Sequence, residues 1–215
     1  VTRGALAAAV LATGLVGLVA CGDDGPTVSA RSTDTAPAQL PTAAQVRAAL
    51  LTVDDLGPGW TPRSVPSQGD TLCGVTPVTP GSPVRGRSGF QRSPAGPFVV
   101  HRFVGFPPGG AVAAMAALRD AIANCDETEA GPPSRRVTWS VRSIEPPPAG
   151  DDSIGVRLTT DDAGSGLPTQ LDEVVFRRGE FVGLVAHAAV GDLDPALTDR
   201  AVRAADRRLL VLAGG

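Results

Sequence analysis

Two histidines draw attention first, because imidazole is the side chain whose ordinary pKa lies nearest neutral pH. His101 stands between Val100 and Arg102, and His187 lies inside Val185-Ala186-His187-Ala188-Ala189-Val190. A mid-strand histidine without a partner motif reads as a packed residue with one hydrogen bond rather than a general base. Ser153 follows Asp152 and precedes Ile154-Gly155, but a nucleophile elbow needs glycine two residues before the serine, where Asp151 stands. Gly150 to Ser153 therefore reads as a turn into a strand. The chain carries no HExxH pair, Walker loop or dinucleotide fingerprint. Asp161-Asp162 sits beside Gly164 and Gly166. Calcium wants six or more oxygens, so two adjacent carboxylates in a hairpin loop read as solvated. Arg135-Arg136 and Arg177-Arg178 could meet acidic lipid head groups or a glycan carboxylate, and their default reading is solvated strand ends. Trp139 alternates with Val137 and Val141 and reads as core, while Trp60, just after Gly59, could edge a ligand site. The expectation is a chain with no catalytic residue, metal site or cofactor.

The three cysteines divide by context. Arg3 is followed by 17 uncharged residues, Gly4 to Ala20, rich in Ala, Gly, Leu and Val. Positive, then apolar, then small is the layout of a secretory signal, and the run is at the short limit for a transmembrane helix. It closes on Leu18-Val19-Ala20-Cys21, which resembles the bacterial lipobox: aliphatic, small or aliphatic, Ala or Gly, then Cys. The resemblance implies a diacylglyceryl thioether on the Cys21 sulfur and cleavage after Ala20. At about 0.8 kcal/mol for each buried CH₂, two or more chains hold firmly where one tethers reversibly. The expected location is the outer face of the cytoplasmic membrane. With Cys21 assigned to lipid, Cys73 and Cys125 remain. An exported chain meets oxidising conditions, so a disulfide between them is expected. The alternatives are two buried thiols or half a metal site, and zinc would want four ligands where neither histidine has ligand spacing to a cysteine.

These residues must be positioned by one folded domain, which is what 215 residues with a tail accommodate. The net charge of −3, from 19 basic and 22 acidic residues, lacks the basic excess that nucleic-acid binding requires. Every basic residue is arginine. With Val1 in the position of an alternative start and an abundance of Ala, Gly and Pro, this suggests a GC-rich, actinobacterial genome. Residues 1–20 read as signal, 21–41 as a solvated tether and 42–215 as the domain. Thr42-Ala43-Ala44-Gln45 matches a capping box, and Thr52 with Asp54 and Asp55 can start a further turn that Gly57-Pro58-Gly59 ends. Residues 61–97 are broken by Pro and Gly. Phe98 to Phe106 reads as a strand, and Ala111 to Cys125 as a helix with Val112, Met115, Leu118, Ile122 and Cys125 as its stripe. Val137 to Arg142 and Ser153 to Thr160 alternate as strands, with a loop at 161–166. Leu171 to Arg177 and Phe181 to Val190 form a hairpin about Arg178-Gly179-Glu180, apolar enough to be central. Asp194-Pro195 caps a last helix with Leu197, Ala201, Ala205, Leu209 and Leu212 as its stripe. Strands joined by short links, with about three amphipathic helices, make an α+β domain whose sheet is mainly antiparallel.

Several of these segments together resemble a family. Leu50-Leu51-Thr52-Val53-Asp54-Asp55-Leu56-Gly57 with Gly59-Trp60 is similar to the opening helix of the PknH-like extracellular sensor domain, found in actinobacteria on a receptor Ser/Thr kinase and on stand-alone lipoproteins. Ala121-Ile122-Ala123-Asn124-Cys125 resembles its central helix with a terminal cysteine. Gly150-Asp151-Asp152-Ser153 and Val174-Val175-Phe176-Arg177-Arg178-Gly179 complete the pattern, which covers roughly residues 42–212. The family's kinase member has more than one disulfide where one pair is available here. The resemblance implies an α+β domain with a ligand cleft, and so a non-enzymatic binding role. The partners it suggests are the membrane through the lipid, and a small molecule, glycan or envelope protein. Two rivals stand beside that reading. A lipid or glycolipid carrier would need an aliphatic cavity above about 300 Å³. A cell-envelope hydrolase would need a histidine within reach of both a serine and a carboxylate.

Overall fold

In a computed structural model, the residues described are 40–65, 71–77, 82, 84–130, 136–161 and 168–214. The expected signal segment, Cys21 and the tether up to residue 39 lie outside them, as do Arg135 and the glycines of the 161–166 loop. The elements are α1 (Ala43–Ala48), α2 (Val53–Leu56), β1 (Thr61–Pro62), β2 (Arg85–Gln91), β3 (Phe98–Gly105), α3 (Gly110–Ala123), β4 (Glu127–Ala130), β5 (Val137–Ile144), β6 (Asp152–Thr160), β7 (Thr169–Arg178), β8 (Phe181–Val190) and α4 (Pro195–Ala213). The strands form one sheet of eight in the order β1-β2-β3-β8-β7-β6-β5-β4, every pairing antiparallel. The architecture is α+β, and the apolar hairpin β7–β8 is central, as its composition requires. Its turn is one residue tighter than expected: Arg178 pairs with Phe181, leaving Gly179-Glu180, with Gly179 at φ 57°.

Period-two alternation sends each strand's side chains to two faces, and helices cover both. On the first face, Val99, Phe103, Val174, Phe176 and Val185 pack with Leu51 and Leu56 and with the α4 stripe. All five expected stripe residues of α4 are buried. Asp194 caps that helix by accepting from the Ala196 N–H at 3.0 Å. Arg208 on α4 donates through Nε to Asp55 at 2.6 Å, and Thr52 N–H donates to the same carboxylate at 2.7 Å, which locks α2 to α4. On the second face, α3 lays Ala111, Met115, Leu118 and Ile122 over Val104, Val156, Val175 and Val182. This corrects the expected stripe: Val112 is 55% exposed and Ala111 takes its place. The helix ends at Ala123, so Cys125 lies just beyond it. There it bonds Cys73, with an S–S length of 2.04 Å.

Three strands were not anticipated: β2, β4 and the two-residue β1. β2, Arg-Gly-Arg-Ser-Gly-Phe-Gln, has weak strand propensity, but its glycines answer to close packing. A Cβ on Gly86 would stand 2.4 Å from the Phe103 ring, and one on Gly89 would stand 2.3 Å from Val65. β4, Glu-Thr-Glu-Ala, is short and charged, as suits an edge strand.

Candidate functional site

Helix α3 has 14 residues, about 21 Å of rise, and lies on strands that run to ten residues, about 33 Å. Part of the second face is therefore left without a helix. The register defines its shape. Ala188 pairs with Phe98 on one side and Leu171 on the other, and Ala186 with Val100 and Glu173. One step nearer α3, Leu184 lies between Arg102 and Val175. The middle strand thus carries two methyl side chains where its neighbours carry large ones, and a trough runs along β8 between walls from β3 and β7. Arg63, Ser64 and Val65 complete it from the β1 side, enclosing about 240 Å³. That segment is held by the Arg63 N–H donating to Gly89 O at 2.8 Å, and the missing side chain of Gly89 lets Val65 seat against the sheet.

The trough is apolar along its floor and carries charged side chains in its walls. Arg102 and Glu173 are buried, with 8% and 6% exposure. The Arg63 guanidinium stacks over the Phe98 ring at 4.2 Å from its centre. A second hollow of about 280 Å³ shares Arg63, Ser64 and Val65 and adds Arg87, Ser88 and Gly89. Arg87 is the cross-strand partner of Arg102 on the same face. Neither Arg63 nor Arg87 has an ion-pair partner among the described residues.

The residues singled out from sequence lie elsewhere. His101 and His187 are both on the first face and buried, and His101 accepts the Leu51 N–H on Nδ1 at 3.2 Å. Burial, followed by the charge of Arg208, pushes the His101 pKa down to about 3. Its Nε2 has no hydrogen-bond partner among the described residues. His187 Nδ1 shares a hydrogen bond of 2.9 Å with Thr198 Oγ1 on α4, and burial lowers its pKa to about 4. Its cross-strand neighbour Asp172 is held by Arg157, at 2.6 Å from Nε and 2.8 Å from Nη2. That hydrogen bond raises the Arg157 pKa. The His187–Thr198 bond fastens α4 to the sheet beside the Arg157–Asp172 pair. An imidazole neutral down to about pH 4 is a weak base, and the threonine hydroxyl it meets is buried under α4.

Ser153 lies in β6, entered through Gly150 at φ 63°, as the turn reading expected. Trp60 is a correction: it is 6% exposed within the first-face core, with the Arg92 guanidinium over its ring at 5.4 Å, and edges no ligand site. Trp139 packs half-buried against the second-face core. Arg177 donates to Asp151 at 3.0 Å, Arg178 to Asp206 at 2.7 Å, and Arg136 to Glu129 at 3.0 Å. These arginines are thereby occupied within the fold. No cluster of three or more metal-binding side chains occurs among the described residues.

The trough was missed because its residues carry no motif. One signal was present: between Asp70 and Asp120 the sequence has five arginines and no acidic residue. Comparison with known proteins yields no matching family model and no matching curated protein. Among solved structures, the chain is similar to the extracellular domain of PknH from Mycobacterium tuberculosis, with a TM-score of 0.58 and 14% identity. The match covers 79% of this chain and 97% of that one. The two share a fold.

Proposed function

We propose that this chain is an extracellular lipoprotein, anchored through Cys21, whose folded domain is a non-enzymatic, sensor-like binding module. The observation that carries the binding role is the trough along β8: a concave, mostly apolar surface with a few charged groups in its walls, the general form of a ligand site. The fold shared with the PknH extracellular domain supports an extracellular setting. The disulfide supports it too, because such bonds persist in oxidising compartments.

Neither rival gains an observation. The carrier needs an aliphatic cavity above about 300 Å³. The trough falls short, and a hollow of about 310 Å³ beside His187 is lined by Asp192 and Asp194. The hydrolase needs a histidine that reaches both serine and carboxylate, and the hydroxyl partner of His187 is a threonine.

Native mass spectrometry of the protein purified from the organism that encodes it tests the binding role. The expected spectrum contains a co-purified small ligand, and Ala188→Leu, which fills the trough floor, removes it. A ligand retained in full by Ala188→Leu would displace the trough as its site. A ligand-free protein that hydrolyses esters, peptides or glycosides, and loses that turnover with His187→Gln, would replace the binding module with the hydrolase.

A further inference from the structure

We propose, resting on the trough being a ligand site, that its occupant is an amphipathic carboxylate: one short chain or ring on the alanine floor with its anionic head at Arg63 and Arg87. The floor sets the apolar half of the ligand. Phe98, Val100, Leu171, Ala186 and Ala188 are all only partly buried, so an apolar body laid on them removes surface from water along its whole length. The volume of about 240 Å³ lies just under that of drug-sized ligand sites, which suits a single ring or a short acyl chain and not a two-chain lipid.

The rim sets the charge. Arg63 belongs to both hollows and reaches the trough over Phe98, and Arg87 lines the second hollow, which opens on the same face and shares Arg63, Ser64 and Val65. Both side chains belong to exposed residues that hold no carboxylate among the described residues. Guanidinium groups match carboxylate oxygens by paired, charge-assisted hydrogen bonds. β2 and β3 at that end of the sheet derive from the stretch that is rich in arginine and free of acid, so the local field attracts an anion although the whole chain carries −3. An anionic head at the rim and an apolar body inside satisfy both the rim and the floor.

The test uses the full chain in zwitterionic nanodiscs, with methyl NMR reporting on Val100, Leu171, Leu184, Ala186 and Ala188. Sodium octanoate is the probe, with octanol and octyltrimethylammonium for comparison. Octanoate is expected to shift those methyls, to bind at least tenfold more tightly than either comparison probe, and to weaken as salt is raised. Arg63→Gln with Arg87→Gln should cost octanoate at least tenfold in affinity and leave octanol unchanged, while Ala188→Leu should weaken both. If octanol binds as well as octanoate and the arginine variant changes neither, the trough remains a ligand site and the anionic head is wrong. If no probe moves the methyls, the trough reading itself fails. Shifts that follow protein concentration without probe would make the occupant a second copy of the chain, and shifts produced only by anionic nanodiscs would make it a membrane surface. Either result overturns the proposal.

Discussion

His101 and His187 show how a residue with chemical promise becomes a structural one. Each sits on the first face of the sheet, where period-two alternation aims it at α4 and the segment around Leu51. A charged imidazole there would lose its water with too little in return, so both stay neutral: burial holds His101 at about 3 and His187 at about 4, against an ordinary 6.5. In the unfolded chain the same groups take up protons as pH falls through 6.5. Protons therefore favour unfolding. Stability is complete above pH 6.5, declines as pH drops through the window, and levels off below about 3, by up to about 1.4 kcal/mol per pH unit for each histidine. Asp55 adds loss in the same direction at lower pH. Burial alone would raise its pKa, but hydrogen bonds from Arg208 and Thr52 hold it below 3.8. Urea unfolding at pH 7.0, 5.5 and 4.5 checks this. His101→Gln with His187→Gln should lose about 1–3 kcal/mol at pH 7 through packing and hydrogen bonds, and should show a flatter decline between pH 6.5 and 4.5. Equal slopes for variant and wild type would show that the histidines do not set the acid sensitivity.

Among the elements, what could be read from sequence depended on whether one residue's neighbours in the chain were also its physical partners. The caps of α1 and α4, the β7–β8 hairpin and the alternation in β5 are local, and each was legible. β2 was not, because Gly86 and Gly89 make sense only against Phe103 and Val65, which are distant in sequence. The trough was illegible for the same reason: Ala186 and Ala188 become its floor only once the register sets Phe98, Val100, Leu171 and Glu173 beside them. The stripe of α3 was misplaced by one residue at its start, since an Ala-rich helix offers little contrast between its faces. The Cys73–Cys125 bond ties such a weakly patterned region together. It closes a separation of 52 residues, for which the chain-entropy account gives about 4 kcal/mol. Locally, the 71–77 segment puts Leu72 into the second-face core with Cys73 and Val75 half-buried against it, together with a hydrogen bond from the Cys73 N–H to Thr128 Oγ1 at 3.3 Å. Cys73→Ser with Cys125→Ser should thus lower global stability by up to about 4 kcal/mol. Hydrogen exchange should show protection lost first around Leu72 to Val75 while β7 and β8 retain theirs. Early loss in the central hairpin would mean that the disulfide supports the sheet and not this segment.

At the scale of the whole molecule, the faces of the sheet divide the work. The first face is sealed by α1, α2 and α4 and holds both buried histidines, so it supplies stability. The second is half covered by α3 and leaves the trough, so it is the face on which a ligand can act without disturbing the core. That division would suit the proposed binding module held at a membrane surface. The lipid on Cys21 is what would hold it there. The argument for the anchor is chemical: a cation, an uncharged run and Leu18-Val19-Ala20 lead into the one cysteine that the disulfide does not use. Among the described residues no helix is long and apolar enough to cross a membrane. Cys21→Ala removes the sulfur that would carry the acyl chains and keeps both cysteines of the disulfide, so attachment can be tested apart from the fold. In membrane fractionation the wild type is expected in the membrane pellet, resistant to high salt and released by detergent. Cys21→Ala should leave that detergent-released fraction by at least tenfold, either shed from the cell or held only by an uncleaved signal segment, which a shift to higher mass would reveal. The same variant should keep the Cys73–Cys125 bond and the wild-type unfolding midpoint, since Cys21 is not one of the two cysteines in that bond. A Cys21→Ala chain of mature length that pellets as firmly as wild type would show that something other than lipid on Cys21 binds this protein to the membrane.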